Sequence, residues 1–309
     1  MCELYVNGVY NSSKSCCNTY GYAAASIRIY FWFKNIYTIR GGGVAIFLII
    51  SGYGLTISTK NKGLTGFWKK KFVRVFIPWL FVWMVMTILQ RENLVSYSSL
   101  SSLFLLNTTN WYLQYLLLCY IVFYVCHKWF YHVRWIIMSG FSILTFILWG
   151  NIQAEQSCSF FLGCLIAENG MVYSWIKNHI KKLCYICILL FCISLFVKQI
   201  GCIRIMLETN FFVEHSVNIV LKISLALFVM SICFLIYRCI NMKYARFIGK
   251  ISYELYLVHL FVMIGVCRAF SDIPYIQLIT FILGTVCISC LLFLLDSKLL
   301  IVCSSKKND

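Results

Sequence analysis

The stretch "GGGVAIFLIISGYGLTIS", residues 41–58, is apolar enough to enter a bilayer, yet its middle carries Ser51, Gly52, Tyr53 and Gly54. These four residues lower helix propensity and remove bulk, which lets a neighbouring backbone or a ligand come close. Two readings follow from the stretch alone: helices packed through small residues, or a passage kept open between them. Either one puts this segment in lipid, and the composition agrees. Of 309 residues, 61% are hydrophobic and 12% charged, with only two prolines, far from the makeup of a soluble domain. The expected fold is all-α, a polytopic integral membrane helix bundle of about nine or ten transmembrane helices.

A spanning helix needs about 20 mostly apolar residues. The windows that fit are 43–59, 75–90, 111–126, 135–150, 158–174, 183–200, 217–237, 251–269 and 276–297. The net charge of +17 does not point to nucleic acid, because the basic residues form short clusters between these windows instead of one patch. Alternate loops carry Lys60, Lys62, Lys69, Lys70, Lys71 and Arg74; Lys128 and Arg134; Lys177, Lys181 and Lys182; Arg238, Lys243, Arg246 and Lys250; and Lys298, Lys306 and Lys307. From residue 75 onward the other side has only Arg91, Lys198, Arg204, Lys222 and Arg268. The positive-inside rule makes the first set cytoplasmic, and the nine windows then alternate without conflict.

This threading starts the 43–59 window outside, so a chain that begins inside must cross within residues 1–42. The candidate is "YGYAAASIRIYFWFKNIYTI", residues 20–39, but Arg28 and Lys34 each cost roughly 2.5–3.5 kcal/mol at a helix centre. Residues 1–42 are therefore expected to be an atypical segment with a degenerate first crossing, ahead of a transmembrane domain over 43–309. The polar start has neither the apolar core nor the cleavage site of a signal peptide. Among 17 cysteines, the pairs Cys184/Cys187 and Cys287/Cys290 sit in apolar runs without histidine or carboxylate nearby. They read as small lipid-compatible residues, and no metal site is expected.

Polar residues inside spans are costly, so they mark candidate sites. In "KKKFVRVFIPWL", residues 69–80, Lys70 and Lys71 lie four and three residues before Arg74, a spacing that lets them grip one anionic group on a helix. The alternative is an anchor on anionic lipid. In "IGKISYELYLVHLFV", residues 248–262, Ser252, Tyr256 and His259 share one helical face, with Glu254 opposite. His259 is either a proton carrier or a hydrogen-bonded packing residue. His127, His132, His179 and His215 fall in loops or span ends and read as solvated or interfacial. Asn110, Trp111, Tyr112 and Gln114 sit at the outer boundary, where an aromatic belt is expected.

In order along the chain, these pieces resemble the acyltransferase 3 family of multispanning bacterial membrane proteins, which includes O-acetylases of surface polysaccharides. "VAIFLIISGYGLTIS" resembles its "FF-x-x-SG-[FY]" span, "GFWKKKFVRVFIPWL" its "RxxR…P" segment, and "NWYLQYLLLCYIVFY" its "W-[FY]-L" span. "FFLGCLIAE", residues 160–168, is similar to a small-residue span, and "IGKISYELYLVHLFV" to the late "lG-x-iSY-x-lYL-x-H" signature. The resemblance covers roughly residues 43–297. It implies a multi-pass protein of the bacterial inner membrane that moves an acyl group from cytoplasmic acyl-CoA to a hydroxyl of a glycan or lipid-linked saccharide. Acyl-CoA is then a co-substrate, and no bound cofactor is implied. Lys70, Lys71 and Arg74 would meet its phosphates, while Ser51, Gly52, Tyr53, Trp111, Ser252, Tyr253 and Tyr256 would line the substrate cavity.

Two departures stand out. Lys71 occupies the first position of the arginine pair, keeping charge but losing the planar fork. The first span of the family carries an arginine and a catalytic histidine, and residues 1–42 contain no histidine. A truncated, misread or diverged amino terminus is the economical expectation. Either His259 serves as base, or the chain is an inactive remnant; a transporter or flippase of the same envelope pathway is the rival class, although no internal repeat supports it.

Overall fold

The computed structural model describes residues 20–89, 111–237, 242–269 and 274–305, and side chains from residue 41 onward. All regular structure among the described residues is helical. Helix α1 spans Tyr20–Lys62 and is continuous through Gly41, Gly42 and Gly43, so residues 20–39 and 43–59 belong to one rod. At 1.5 Å per residue its 43 residues reach about 65 Å, twice the ~30 Å of a hydrocarbon core. The rod stops at Gly63, whose left-handed backbone (φ 62°) lets its amide donate to Thr59 O at 2.9 Å.

After α1 come α2 (Phe67–Lys71), a π-turn (Phe72–Phe76) and α3 (Ile77–Leu89). The π-turn has a local cause. Pro78 has no amide hydrogen to give Arg74 O, and the widened turn, in which the Ile77 amide donates to Phe72 O, absorbs the mismatch. Then follow α4 (Trp111–Trp129), α5 (Arg134–Leu148), a short α6 (Asn151–Ala154), α7 (Ser159–Glu168), α8 (Gly170–Asn178), α9 (Ile180–Val197), α10 (Gly201–Thr209), α11 (Phe211–Ile236), α12 (Met242–Ala269) and α13 (Pro274–Ser305).

Five described segments are long and apolar enough to cross a membrane unaided: Gly41–Lys62, Tyr131–Leu148, Ile180–Val197, Phe211–Ile236 and Ile276–Leu295. Their outward residues are apolar, as at Ile136, Leu148, Leu189, Phe196, Leu283 and Leu291. Such a surface is stable only against lipid. Helix α4 is the opposite case. Its Tyr112, Tyr115, Cys119, Tyr120 and Phe123 are buried at the centre of the main core, packed with residues of α1, α2, α3 and α7. Neighbouring helices shield its hydroxyls from lipid.

One expected span is corrected. The window 158–174 breaks at Asn169, whose extended backbone ends α7 and whose side chain accepts from the Met171 and Val172 amides to start α8. The side-chain cap satisfies amides that a continuing helix would bond internally, so the break is stable. It leaves Glu168 at the end of α7.

Helix α1 packs against α7 and α11, α9 against α11, and α12 against α13. The α1–α7 contact has no room for side chains at two points. A Cβ on Gly52 would lie 2.2 Å from Phe160 O, and one on Gly163 would lie 2.0 Å from Ile49 O.

Candidate functional site

Cations from two helices meet a carboxylate of a third at one end of the bundle. Lys60 Nζ stands 3.2 Å from Glu168 Oε2 and donates to the Ala167 and Glu168 carbonyls. Arg134 Nη2 donates to Glu168 Oε1 at 2.7 Å, and Nη1 to Tyr131 O. Glu168 thus ties the last turn of α1 to the first turn of α5.

Lys71 and Arg74 are different. Among the described residues no carboxylate pairs with either. The Lys71 ammonium lies over the Tyr120 ring, 4.9 Å from its centroid. Burial, reinforced by the Arg74 guanidinium, pushes its pKa down to about 8. The side chain of Lys70 lies outside the described residues. Tyr120 carries the connection inward, because its hydroxyl is 2.7 Å from Ser51 Oγ. Lys71 and Ser51, expected at a donor mouth and a cavity, are therefore joined through one tyrosine.

Gly52 is buried at the α1–α7 contact, while the half-buried Tyr53 faces Tyr173, ring centres 6.4 Å apart. Gly54 is exposed, and a methyl added there would have nothing within 4 Å. The late helix joins the same core. Tyr253 Oη donates to Val75 O within the π-turn at 2.7 Å, tying α12 to the segment that carries Arg74. Tyr256 packs on Tyr112 (4.6 Å), Phe47 (5.8 Å) and His259 (5.4 Å), and Trp111 adjoins Tyr112 at 6.2 Å. Ser252 turns its hydroxyl onto Gly249 O of its own helix. His259 Nδ1 is 2.5 Å from Tyr256 O. A carbonyl only accepts, so Nδ1 carries the hydrogen and Nε2 the lone pair when the ring is neutral. Among the described residues no carboxylate backs this imidazole.

The profile of an acyltransferase domain family matches residues 16–294. The chain belongs to the acyltransferase 3 family. The match begins at residue 16, so residues 16–42, outside the span of the motif resemblance, fall within the family's domain. No curated protein and no solved structure matches the chain. This acyltransferase domain is a multi-pass membrane domain, as its apolar helices require.

At the end opposite Glu168, the structure corrects one histidine. His215, read from sequence as solvated or interfacial, is 1% exposed. It sits in the first turns of α11 with Phe211 edge-on at 4.0 Å, and its Nδ1 is 3.7 Å from Glu155 Oε1. Glu155 is held by Asn218 Nδ2 on Oε1 at 2.6 Å and by the Lys222 ammonium on Oε2. Lys198 donates to Asn218 Oδ1. Glu155 is hard to find in the sequence because it falls between two apolar windows and looks like loop. A signal is nonetheless present: His215, Asn218 and Lys222 are spaced i, i+3 and i+7, which puts all three on one helical face. Tyr120 is hidden among the other tyrosines of α4.

Proposed function

We propose that this acyltransferase moves an acyl group, in the simplest case acetyl, from a cytoplasmic acyl-CoA to a hydroxyl of a cell-surface polysaccharide or lipid-linked saccharide in the bacterial inner membrane. The observation that carries the reading is the pair of cations Lys71 and Arg74, which no described carboxylate neutralises, next to a line of contacts from Lys71 through Tyr120 to Ser51 inside the bundle. Two adjacent cations repel unless an anion sits between them, and the phosphates of coenzyme A supply that anion. Lys60 and Arg134 at the same end share the Glu168 carboxylate instead.

The test is transfer in isolated membranes from acetyl-CoA labelled in the acetyl group. Label in an alkali-labile ester, with free coenzyme A released, supports the reading. Accumulation of untranslocated lipid-linked saccharide on deletion, without ester label, overturns it in favour of a flippase. No ester label and no such accumulation leaves an inactive remnant.

The donor end also carries a pH signature. Lys71 is charged below about pH 8 and loses its charge above it. Anion binding that uses this charge is fully present at pH 7 and fades as pH rises through 8. The KM for acetyl-CoA is expected to rise about fivefold to tenfold from pH 7 to pH 9 through this group. Lys71→Arg, whose guanidinium stays charged throughout, should flatten that rise. A rise of equal size in the variant would assign the pH dependence elsewhere.

A further inference from the structure

We infer that His215, backed by Glu155, is the base that binds and deprotonates the acceptor hydroxyl, at the end of the bundle opposite the donor cations. The inference rests on the acyl-transfer reading for its reaction and on the Glu155–His215 geometry for its site. His215 is buried, yet neither ring nitrogen has a hydrogen-bond partner among the described residues. A neutral imidazole needs one acceptor for its N–H and one donor for its bare nitrogen, and leaving either unmade in a buried site is unfavourable. Glu155 is already held by Lys222 and Asn218, so it is fixed in place behind Nδ1. With Glu155 the acceptor nearest Nδ1, the bare Nε2 is left needing a donor, and an alcohol O–H is such a donor.

The arrangement is costly in other ways. Replacing a buried ion pair by apolar residues is often neutral or stabilising, so stability alone does not account for Glu155 and Lys222 inside a lipid-facing bundle. The backbone makes room for it as well. Gly41 has no side chain where Lys222 folds, since a Cβ there would lie 2.3 Å from Lys222 Cε, and Gln156 donates to Gly41 O to hold the Glu155 segment against α1. Phe211, beside the imidazole and partly exposed, offers an apolar face of the kind that stacks on a sugar ring. Gly41 and Ser51 are ten residues apart on α1, about 15 Å along its axis, a gap for an extended thioester arm to cover from the Lys71 end.

The step balances without any further reactant. The acceptor O–H gives its proton to His215 as its oxygen attacks the thioester carbonyl carbon. The new C–O bond forms, the C–S bond breaks, and the imidazolium returns the proton to the departing thiolate. The products are an ester and coenzyme A. His259, with Nδ1 held by its own helix and no described carboxylate behind it, is left as part of the aromatic cluster around Tyr256.

The full chain in lipid nanodiscs tests this with three measurements: coenzyme A binding by calorimetry, acetyl transfer from labelled acetyl-CoA to methyl glucoside, and nitrogen-15 spectra of labelled histidines titrated with methyl glucoside. His215→Phe should bind coenzyme A as wild type does, which also shows that it folds, and transfer at least about 100-fold more slowly, the usual scale of general-base loss. His259→Phe should stay within about tenfold of wild type. The His215 nitrogens, assigned by their loss in the variant, should shift on adding the glycoside. Transfer by His215→Phe within about tenfold of wild type overturns the inference. So does a His215 signal indifferent to the glycoside, as a ring that binds only water would give. If wild type neither binds coenzyme A nor transfers acetyl, the acyl-transfer reading fails, and the glycoside titration alone then decides the hydroxyl site. Should His215→Phe not fold, His215→Gln replaces it under the same criteria.

Discussion

Arg74→Ala is expected to raise the KM for acetyl-CoA about 10- to 100-fold while changing kcat little, the loss of one charged hydrogen-bonding partner worth about 1.5–3 kcal/mol. The split between the two constants follows from the proposed role. Arg74 would hold phosphates far from the thioester, so its contacts are the same in the ground state and the transition state. The comparison is Lys60→Ala, which removes a cation of the same sign from the same end of the bundle. Lys60 is paired with Glu168, and its loss should alter the acetyl-CoA KM by less than about threefold. Equal effects from both variants would mean that the end attracts the donor only through its summed charge. That outcome would remove Arg74 from the site and leave an anchor on anionic lipid.

The contrast between these two cations explains which features are legible in the sequence. Lipid imposes length and polarity on every crossing, so the all-helical membrane class follows from apolar windows and the placement of lysine and arginine. The spacing of Lys71 and Arg74 is local, so it too can be read along the chain. Partners far apart in sequence cannot. Glu168 meets Lys60 across 108 residues and Arg134 across 34, and only packing reveals that these cations have a carboxylate while none among the described residues pairs with Lys71 or Arg74. Tyr120 and Ser51 are separated by 69 residues, and Glu155 and Lys222 by 67. The break at Asn169 is invisible to hydropathy for a different reason: a single side chain that accepts two amides outweighs the apolar residues on either side of it.

The small residues of the opening stretch are ambiguous in the same way, and substitutions separate the two uses a membrane helix has for them. Gly163→Ala is expected to destabilise the folded chain by about 3 kcal/mol, the upper part of the usual range for overpacking, and Gly52→Ala to come close to it. In both cases the added methyl would meet a backbone oxygen, 2.0 Å away at Ile49 and 2.2 Å away at Phe160, and a backbone cannot turn aside as a flexible side chain can. Helices α1 and α7 would have to separate, which also strains the Ser51–Tyr120 hydrogen bond beside the contact. Gly54→Ala lies on the same helix, two residues along, with nothing within 4 Å of its methyl. Its effect should lie between zero and about 1 kcal/mol of stabilisation, because alanine favours a helix over glycine. Unfolding in mixed detergent, followed by tryptophan fluorescence, measures all three. If Gly54→Ala proved as damaging as Gly163→Ala, close helix contact would not be what these glycines provide, and Gly52 would return to the lining of an open passage.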